Sequence, residues 1–123
     1  MRISERSDMS IFSTVSLTGT VDGGTIVSAR KQTVVLGYYI FNAAATPRYV
    51  KFYNSDVLAG QVGTATPVLT FGIPAGGGCN VPPGAIEAIP FSSGLVVAAV
   101  VTAPVASTTN VTANDVICNI YYK

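Results

Sequence analysis

The chain has 123 residues with seven Lys and Arg against six Asp and Glu, and it contains no His and no Trp. Its length fits one domain with a single core. Because His, the commonest acid–base group, is missing and no cationic run exceeds Arg30-Lys31, the composition disfavours an enzyme and a nucleic-acid-binding protein. A half-apolar chain with so few charges favours a structural or binding role instead.

The first segment, residues 1–10, differs in composition from everything that follows. It holds Arg2, Glu5, Arg6 and Asp8, whereas the rest of the chain is poor in charge. We expect a flexible N-terminal arm that becomes ordered against a partner, so these four residues are candidates for partner contacts. The segment lacks the apolar run of a secretory signal, which favours synthesis in a cytoplasm.

From residue 11 to residue 123 the sequence has the pattern of one all-β domain. Apolar residues alternate with Ser and Thr or form short runs between turns such as Asp22-Gly23-Gly24, and residues 54–66 read as a loop. We expect about eight strands in an antiparallel β-sandwich, with the jelly-roll and immunoglobulin-like topologies both open. The candidate segments from which these strands are drawn are residues 12–21, 25–29, 33–41, 48–53, 67–73, 85–88, 94–102, 108–112 and 116–123, and a short strand at 79–81 is left open.

Three of these strands carry specific expectations. In residues 12–21, Val15 and Leu17 fall on one face. Residues 33–41 are apolar on both faces, which predicts coverage on both sides, either within the core or by a neighbouring subunit. In residues 48–53 the alternation assigns Val50 and Phe52 to the core and leaves Lys51 exposed on the opposite face.

No motif for catalysis, a cofactor or a metal stands out. The Gly76–Gly78 run lacks the Lys and Ser or Thr of a phosphate-binding loop, and it reads as a turn. The acidic residues are scattered singly, and Cys79 and Cys118 without His make a zinc site improbable. Two free thiols are favoured for these cysteines, although the sequence leaves their pairing open. The longest apolar run, residues 95–101, is also far shorter than the ~20 residues of a membrane helix.

The six tyrosines all fall on predicted strands, where they can fill a core or an interface between proteins. With few charges to keep the exterior wet, we expect part of this aromatic surface to be buried between subunits of a homo-oligomer. The tyrosines chosen as interface candidates are Tyr38, Tyr39, Tyr121 and Tyr122.

Several strings in the chain resemble a group of small virion proteins of tailed bacteriophages. The likeness covers roughly residues 33–123 and is moderately specific for the group. It implies a β-sandwich structural protein that binds other virion proteins, with no catalytic residue or cofactor. The strings are YYIFN at 38–42, RYVKFYN at 48–54, TPVLT at 66–70, IPAGG at 73–77, FSSGL at 91–95 and IYYK at 120–123.

The resemblance does not specify a place in the virion, and our first hypothesis is a capsid decoration, or cement, protein on the surface of the virion. Such a protein would be made in the host cytoplasm and would bind and stabilise the assembled head shell through the major capsid protein. A homo-oligomer is expected, with a trimer favoured. The alternative is a tail, neck or fibre component involved in host attachment.

Overall fold

The computed structural model describes residues 9–123, which form nine antiparallel strands in two packed sheets and no helix. The β-sandwich expected from the alternation is therefore confirmed. Arg2, Glu5, Arg6 and Asp8 lie outside the described residues. The strands are β1 (Ser10–Thr14), β2 (Thr25–Ser28), β3 (Thr33–Asn42), β4 (Arg48–Asn54), β5 (Leu69–Ile73), β6 (Gly78–Val81), β7 (Ile89–Phe91), β8 (Leu95–Val100) and β9 (Val116–Tyr122).

The two sheets differ in how their strands are arranged. The first sheet has the order β1-β9-β3-β6, and β7 pairs with the other end of β3 on the same side as β6. The second sheet has the order β2-β8-β4-β5. Because β1 and β9 are neighbours although they stand at opposite ends of the chain, the two ends of the domain are joined within the first sheet.

The main core lies between the sheets and contains the residues that the alternation in β4 assigns to it. Val50 and Phe52 are completely buried, as predicted. The Phe52 ring contacts Phe71 edge-on, with centroids 5.2 Å apart, and Tyr38 of the first sheet lies 4.9 Å from Phe71. This aromatic cluster is where the inner faces of the two sheets interdigitate.

The chain between β1 and β2 does not continue as the strand expected over residues 12–21. After Thr14 it makes one more hydrogen bond to the first sheet, from the Leu17 N–H to the Val116 carbonyl. It then crosses to the second sheet, where the Ala99 N–H donates to the carbonyl of Thr18. Leu17 is buried on the way while Val15 stays 64% exposed, so the assignment of both to one face is wrong. The crossing needs Gly19, since a Cβ there would collide with the Ala99 carbonyl.

Two further strand predictions are wrong. Residues 85–88 are a bend followed by irregular chain, and the strand β7 begins just afterwards and includes Pro90. Pro90 has no backbone N–H to donate, but Val34, its partner on β3, does not need one. The Val34 N–H donates to the Lys123 carbonyl at 2.8 Å, and the Lys123 N–H donates to the Val34 carbonyl at 3.0 Å. Both of these hydrogen bonds lie on the side of β3 away from β7. Residues 108–112 contribute only one isolated bridge, between Asn110 and Val100.

The second sheet is also packed on its outer face, which corrects the expectation for Lys51. Lys51 is completely buried rather than exposed, and its ammonium donates to the carbonyl of Pro104 at 2.6 Å. Two loops, residues 55–68 and 101–115, supply this covering layer, in which Val62 packs with Tyr53 and with the outer side chains of β8. Alternation along β4 alone could not show this, because the loops come from distant parts of the chain.

Candidate protein-interaction surface

The outer face of the first sheet is not covered by loops of the described part of the chain, in contrast to the outer face of the second sheet. Its central row crosses four strands, from Ser13 through Asn119 and Tyr39 to Asn80, as the strand register dictates. Side chains on one face of a sheet recur at every second residue, so the neighbouring rows follow from this one. We call the set the uncharged face: Ile11, Ser13, Tyr39, Phe41, Asn80, Ile117, Asn119 and Tyr121.

The name reflects the composition of the whole first sheet. None of its five strands contains an Asp, Glu, Lys or Arg. In the described part of the chain, charged residues lie in loops and turns or on β4, and Lys123 follows β9 at one end of the face. A solvated sheet face ordinarily carries charged side chains, which keep it wet and discourage association.

The side chains of this face are half-buried or exposed, and five of its eight residues carry a polar group: Ser13, Tyr39, Asn80, Asn119 and Tyr121. Ile11 is 60% exposed, whereas Tyr39, Phe41 and Tyr121 lie partly sheltered among their neighbours. At the centre, the Ser13 hydroxyl donates to the Asn119 side-chain oxygen at 2.7 Å. The face therefore presents aromatic and aliphatic side chains around a small amide centre.

The structure places the four candidate tyrosines on opposite sides of the first sheet. Tyr39 and Tyr121 belong to the uncharged face. Tyr38 and Tyr122 point inward and pack against the main core, and burial raises the pKa of the Tyr38 hydroxyl. Of the four tyrosines, Tyr39 and Tyr121 are thus the two that lie on an outer surface, with their rings partly exposed.

The second sheet offers a partner less, because its own loops occupy its outer face. Tyr53 is 1% exposed there, and its hydroxyl is the one buried polar side-chain atom among the described residues without a hydrogen-bond partner. Burial raises the pKa of Tyr53 and lowers the pKa of Lys51. The outer face of the second sheet is therefore a second hydrophobic core, which the loops of the same chain cover.

An ion pair between Arg48 and Asp115 fastens the two sheets at one end. The Arg48 Nε donates to a carboxylate oxygen of Asp115 at 3.0 Å, and the same oxygen accepts the Thr112 N–H. Nearby, the buried amide of Asn42 donates toward the carbonyls of Thr46 and Ile73. The polar groups of Arg48, Asp115 and Asn42 thus have hydrogen-bond partners within the protein, so we assign them a structural role.

The two cysteines are free and cannot reach each other without backbone movement. In the strand register both stand opposite Ile40, Cys79 on β6 and Cys118 on β9, so β3 runs between them. Two strand spacings separate their backbones by roughly 10 Å, beyond the reach of a disulfide. Burial, with a smaller effect of Cys79, raises the pKa of Cys118 to about 12, which keeps it a thiol.

Residues 9–123 contain no detected ligand pocket and no group of His, Cys, Asp or Glu that could hold a metal ion. No helix of the length and apolarity needed to cross a membrane occurs in the same part of the chain. No family model, curated protein or solved structure matches the chain.

Sequence reasoning identified two residues of the uncharged face and missed its centre. Asn119, Ile117 and Phe41 did not stand out, because each belongs to a strand that is apolar on both faces. The available signal was the lack of any charge in residues 33–42 and 116–122, which predicts that neither face of those strands is well solvated.

Proposed function

We propose that this protein is a structural protein of a bacteriophage virion, a decoration protein that binds and stabilises the assembled head shell. The observation that carries the role in assembly is the uncharged face, an aromatic sheet surface left uncovered on a sandwich that covers its other outer face itself, which suits a protein that works as one of many associated copies. Uncovered apolar surface of this kind marks a place where proteins associate. The bacteriophage setting comes from the sequence resemblance over residues 33–123.

The mechanism is binding alone. A protein that binds the assembled shell, and binds free capsid subunits less well, stabilises the shell by mass action. Each copy needs to contribute only a modest free energy, because many copies on one shell act together. The major capsid protein is the proposed partner, and neither a nucleic acid nor a cofactor takes part.

Counting copies in purified phage particles that carry this gene tests the proposal. Quantitative mass spectrometry would compare the amount of this chain with that of the major capsid protein. We expect a ratio near the number of shell subunits or an integer fraction of it. A ring of about six or twelve copies would overturn the head assignment in favour of the neck or tail. Complete absence from the particle would overturn the virion role itself.

A direct binding test complements the count. Shells that lack this protein are mixed with the purified chain, and the disruption temperature of the shells is measured by scanning calorimetry. We expect that temperature to rise with the concentration of added protein until the sites are full. A disruption temperature that is independent of the added protein would show that it does not stabilise the shell.

A further inference from the structure

We propose that the uncharged face is the contact surface between two copies of this chain. The starting point is the asymmetry of the sandwich. The second sheet has its outer face closed by loops that bring Val62, Leu58 and Ala65 over it. No loop of the described residues covers the outer face of the first sheet, although its outer side chains include Ile11, Phe41 and Tyr121.

The absence of charged side chains on this face favours a second copy of the chain as its partner. Recognition of a different protein commonly uses complementary charges, which steer encounter and reject wrong partners. The uncharged face offers no charge for such pairing, so a good complement must itself be an uncharged surface that combines apolar side chains with hydroxyl and amide groups. Among the described surfaces of this chain, the sheet face that meets this requirement is the uncharged face itself, which leads to face-to-face packing.

The area of the face is sufficient for a weak interface. The strands of the first sheet contain 29 residues, which at about 3.3 Å per residue and about 4.8 Å between strands gives roughly 450 Å² in projection. Side-chain relief adds to that projected area. A standard interface buries about 800 Å² per partner, so the face alone supports a dimer at the weak end of the range.

Packing one face against its own copy gives a two-fold arrangement, in which the same surface is used on both sides. Two sheets stacked in this way lie about 10 Å apart with interdigitating side chains. The contact gives a dimer, and this distinguishes it from the trimer that the bacteriophage resemblance favours. It does not depend on the virion role, since it concerns the purified chain alone.

The test is one isosteric substitution at the centre of the face. Asn119→Asp keeps the size of the side chain and its hydrogen bond from Ser13 while adding a negative charge that a second copy would bury. The matched control is Asn114→Asp, which adds the same charge in an exposed turn between β8 and β9. Sedimentation equilibrium up to ~100 µM measures association, and circular dichroism verifies the fold of each variant.

We expect the wild-type chain and Asn114→Asp to form dimers with similar dissociation constants at pH 7. Asn119→Asp should dissociate about 100-fold more readily, because the contact would bury an unpaired carboxylate. Lowering the pH to about 4 should restore much of its association relative to wild type, since a buried carboxyl is then protonated. This recovery separates a charge effect from misfolding.

Three outcomes would overturn the proposal. The first is a wild-type chain that remains monomeric at ~100 µM. The second is a trimer, which a two-fold contact cannot produce. The third is a dimer that Asn119→Asp and Asn114→Asp weaken equally, which would place the contact elsewhere on the molecule.

Discussion

Lys51 shows how a single residue can be misread from alternation alone. Its neighbours Val50 and Phe52 face the main core, so the alternating pattern places the Lys51 side chain on the opposite face of β4 and predicts that it is exposed. That side is covered by a loop whose Pro104 carbonyl accepts a hydrogen bond from the ammonium. The aliphatic stem therefore packs like a core side chain, and the charged end is tied to backbone.

We expect Lys51→Ala to lower the free energy of unfolding by about 2–4 kcal/mol, because it removes a buried stem and leaves a cavity. Lys51→Met keeps most of the volume and removes the buried charge, so its loss should be clearly smaller. Urea denaturation of the three proteins at pH 7 measures both differences. A loss below about 0.5 kcal/mol for Lys51→Ala would mean that the covering loop is not packed on this side chain in solution.

Cys118 gives the protein a sensitivity to alkaline pH. Its pKa is about 12 in the folded protein against 9.0 as the ordinary value, so above pH 9 the unfolded chain ionises and the folded chain does not. Fewer protons are then bound in the unfolded state, and the free energy of unfolding falls as the pH rises. Between pH 8 and 10.5 the loss from this one group is about 2 kcal/mol.

The variant Cys118→Ala isolates this contribution. It is less stable than wild type at pH 8 because a buried sulfur is lost, but its stability should fall less steeply with rising pH. Urea denaturation at several pH values between 8 and 10.5 gives the two slopes. The lowered pKa of Lys51 makes the free energy of unfolding rise with pH, and the raised pKa of Tyr53 makes it fall. Both residues are present in the two proteins, so their contributions cancel when the slopes are compared. Parallel slopes would argue against a buried, un-ionised Cys118.

At the scale of elements, β4 is a strand that is buried on both sides. Val50→Asp or Phe52→Asp should prevent folding, since an unpaired carboxylate in the core costs several kcal/mol, about as much as the stability of a small domain. Thr70→Asp is the matched control, because Thr70 lies opposite Lys51 on β5 and is exposed. Circular dichroism and the elution volume in gel filtration report folding. A folded Phe52→Asp protein would place Phe52 outside the core.

The elements that sequence could predict are those whose pattern is set locally. Residues 33–41 and 48–53 correspond to β3 and β4 because runs of β-branched and aromatic residues favour a strand. The segment after Thr14 alternates as well, yet it crosses between sheets, since its hydrogen bonds go to Val116 and Ala99 far away in the chain. Such partners are set by tertiary packing.

The sequence predicted that an aromatic interaction surface exists, but it did not predict which residues form that surface. Uncharged strands and paired tyrosines indicate a poorly solvated face, and this reasoning reached Tyr39 and Tyr121. The register that puts Asn119 beside Tyr39, and the bulge near Gly37 that turns Tyr38 inward, depend on how β3 and β9 pair. A one-residue change of register would exchange the two faces, so sequence could not decide between Tyr38 and Tyr39.

For the whole molecule, the distribution of charge separates two kinds of surface. The described charged residues lie mostly in loops at the ends of the strands, while the first sheet has none along its length. Self-association through that sheet would leave the charged loops free for a different partner. A protein arranged in this way can dimerise and still bind a shell.

We expect that deletion of residues 1–8 leaves the fold intact and weakens attachment to the shell. The deletion stops before β1, whose first residue Ser10 pairs with Tyr122, so no described strand is shortened. The removed segment is too polar to contribute to a core, yet it concentrates Arg2, Glu5, Arg6 and Asp8, as suits a segment that becomes ordered against a partner. Thermal denaturation checks the fold, and co-sedimentation with undecorated shells measures the bound fraction.

Salt concentration decides whether the charges of this segment provide the anchoring. Ionic contacts to a shell are screened as salt increases, so binding of the full-length chain should weaken between about 0.05 and 0.5 M salt. The truncated chain and the double variant Arg2→Gln plus Arg6→Gln should bind less and respond less to salt. If the truncated chain instead binds as tightly as the full-length chain at every salt concentration, the segment has no anchoring role, and the shell contact must lie on the sandwich itself.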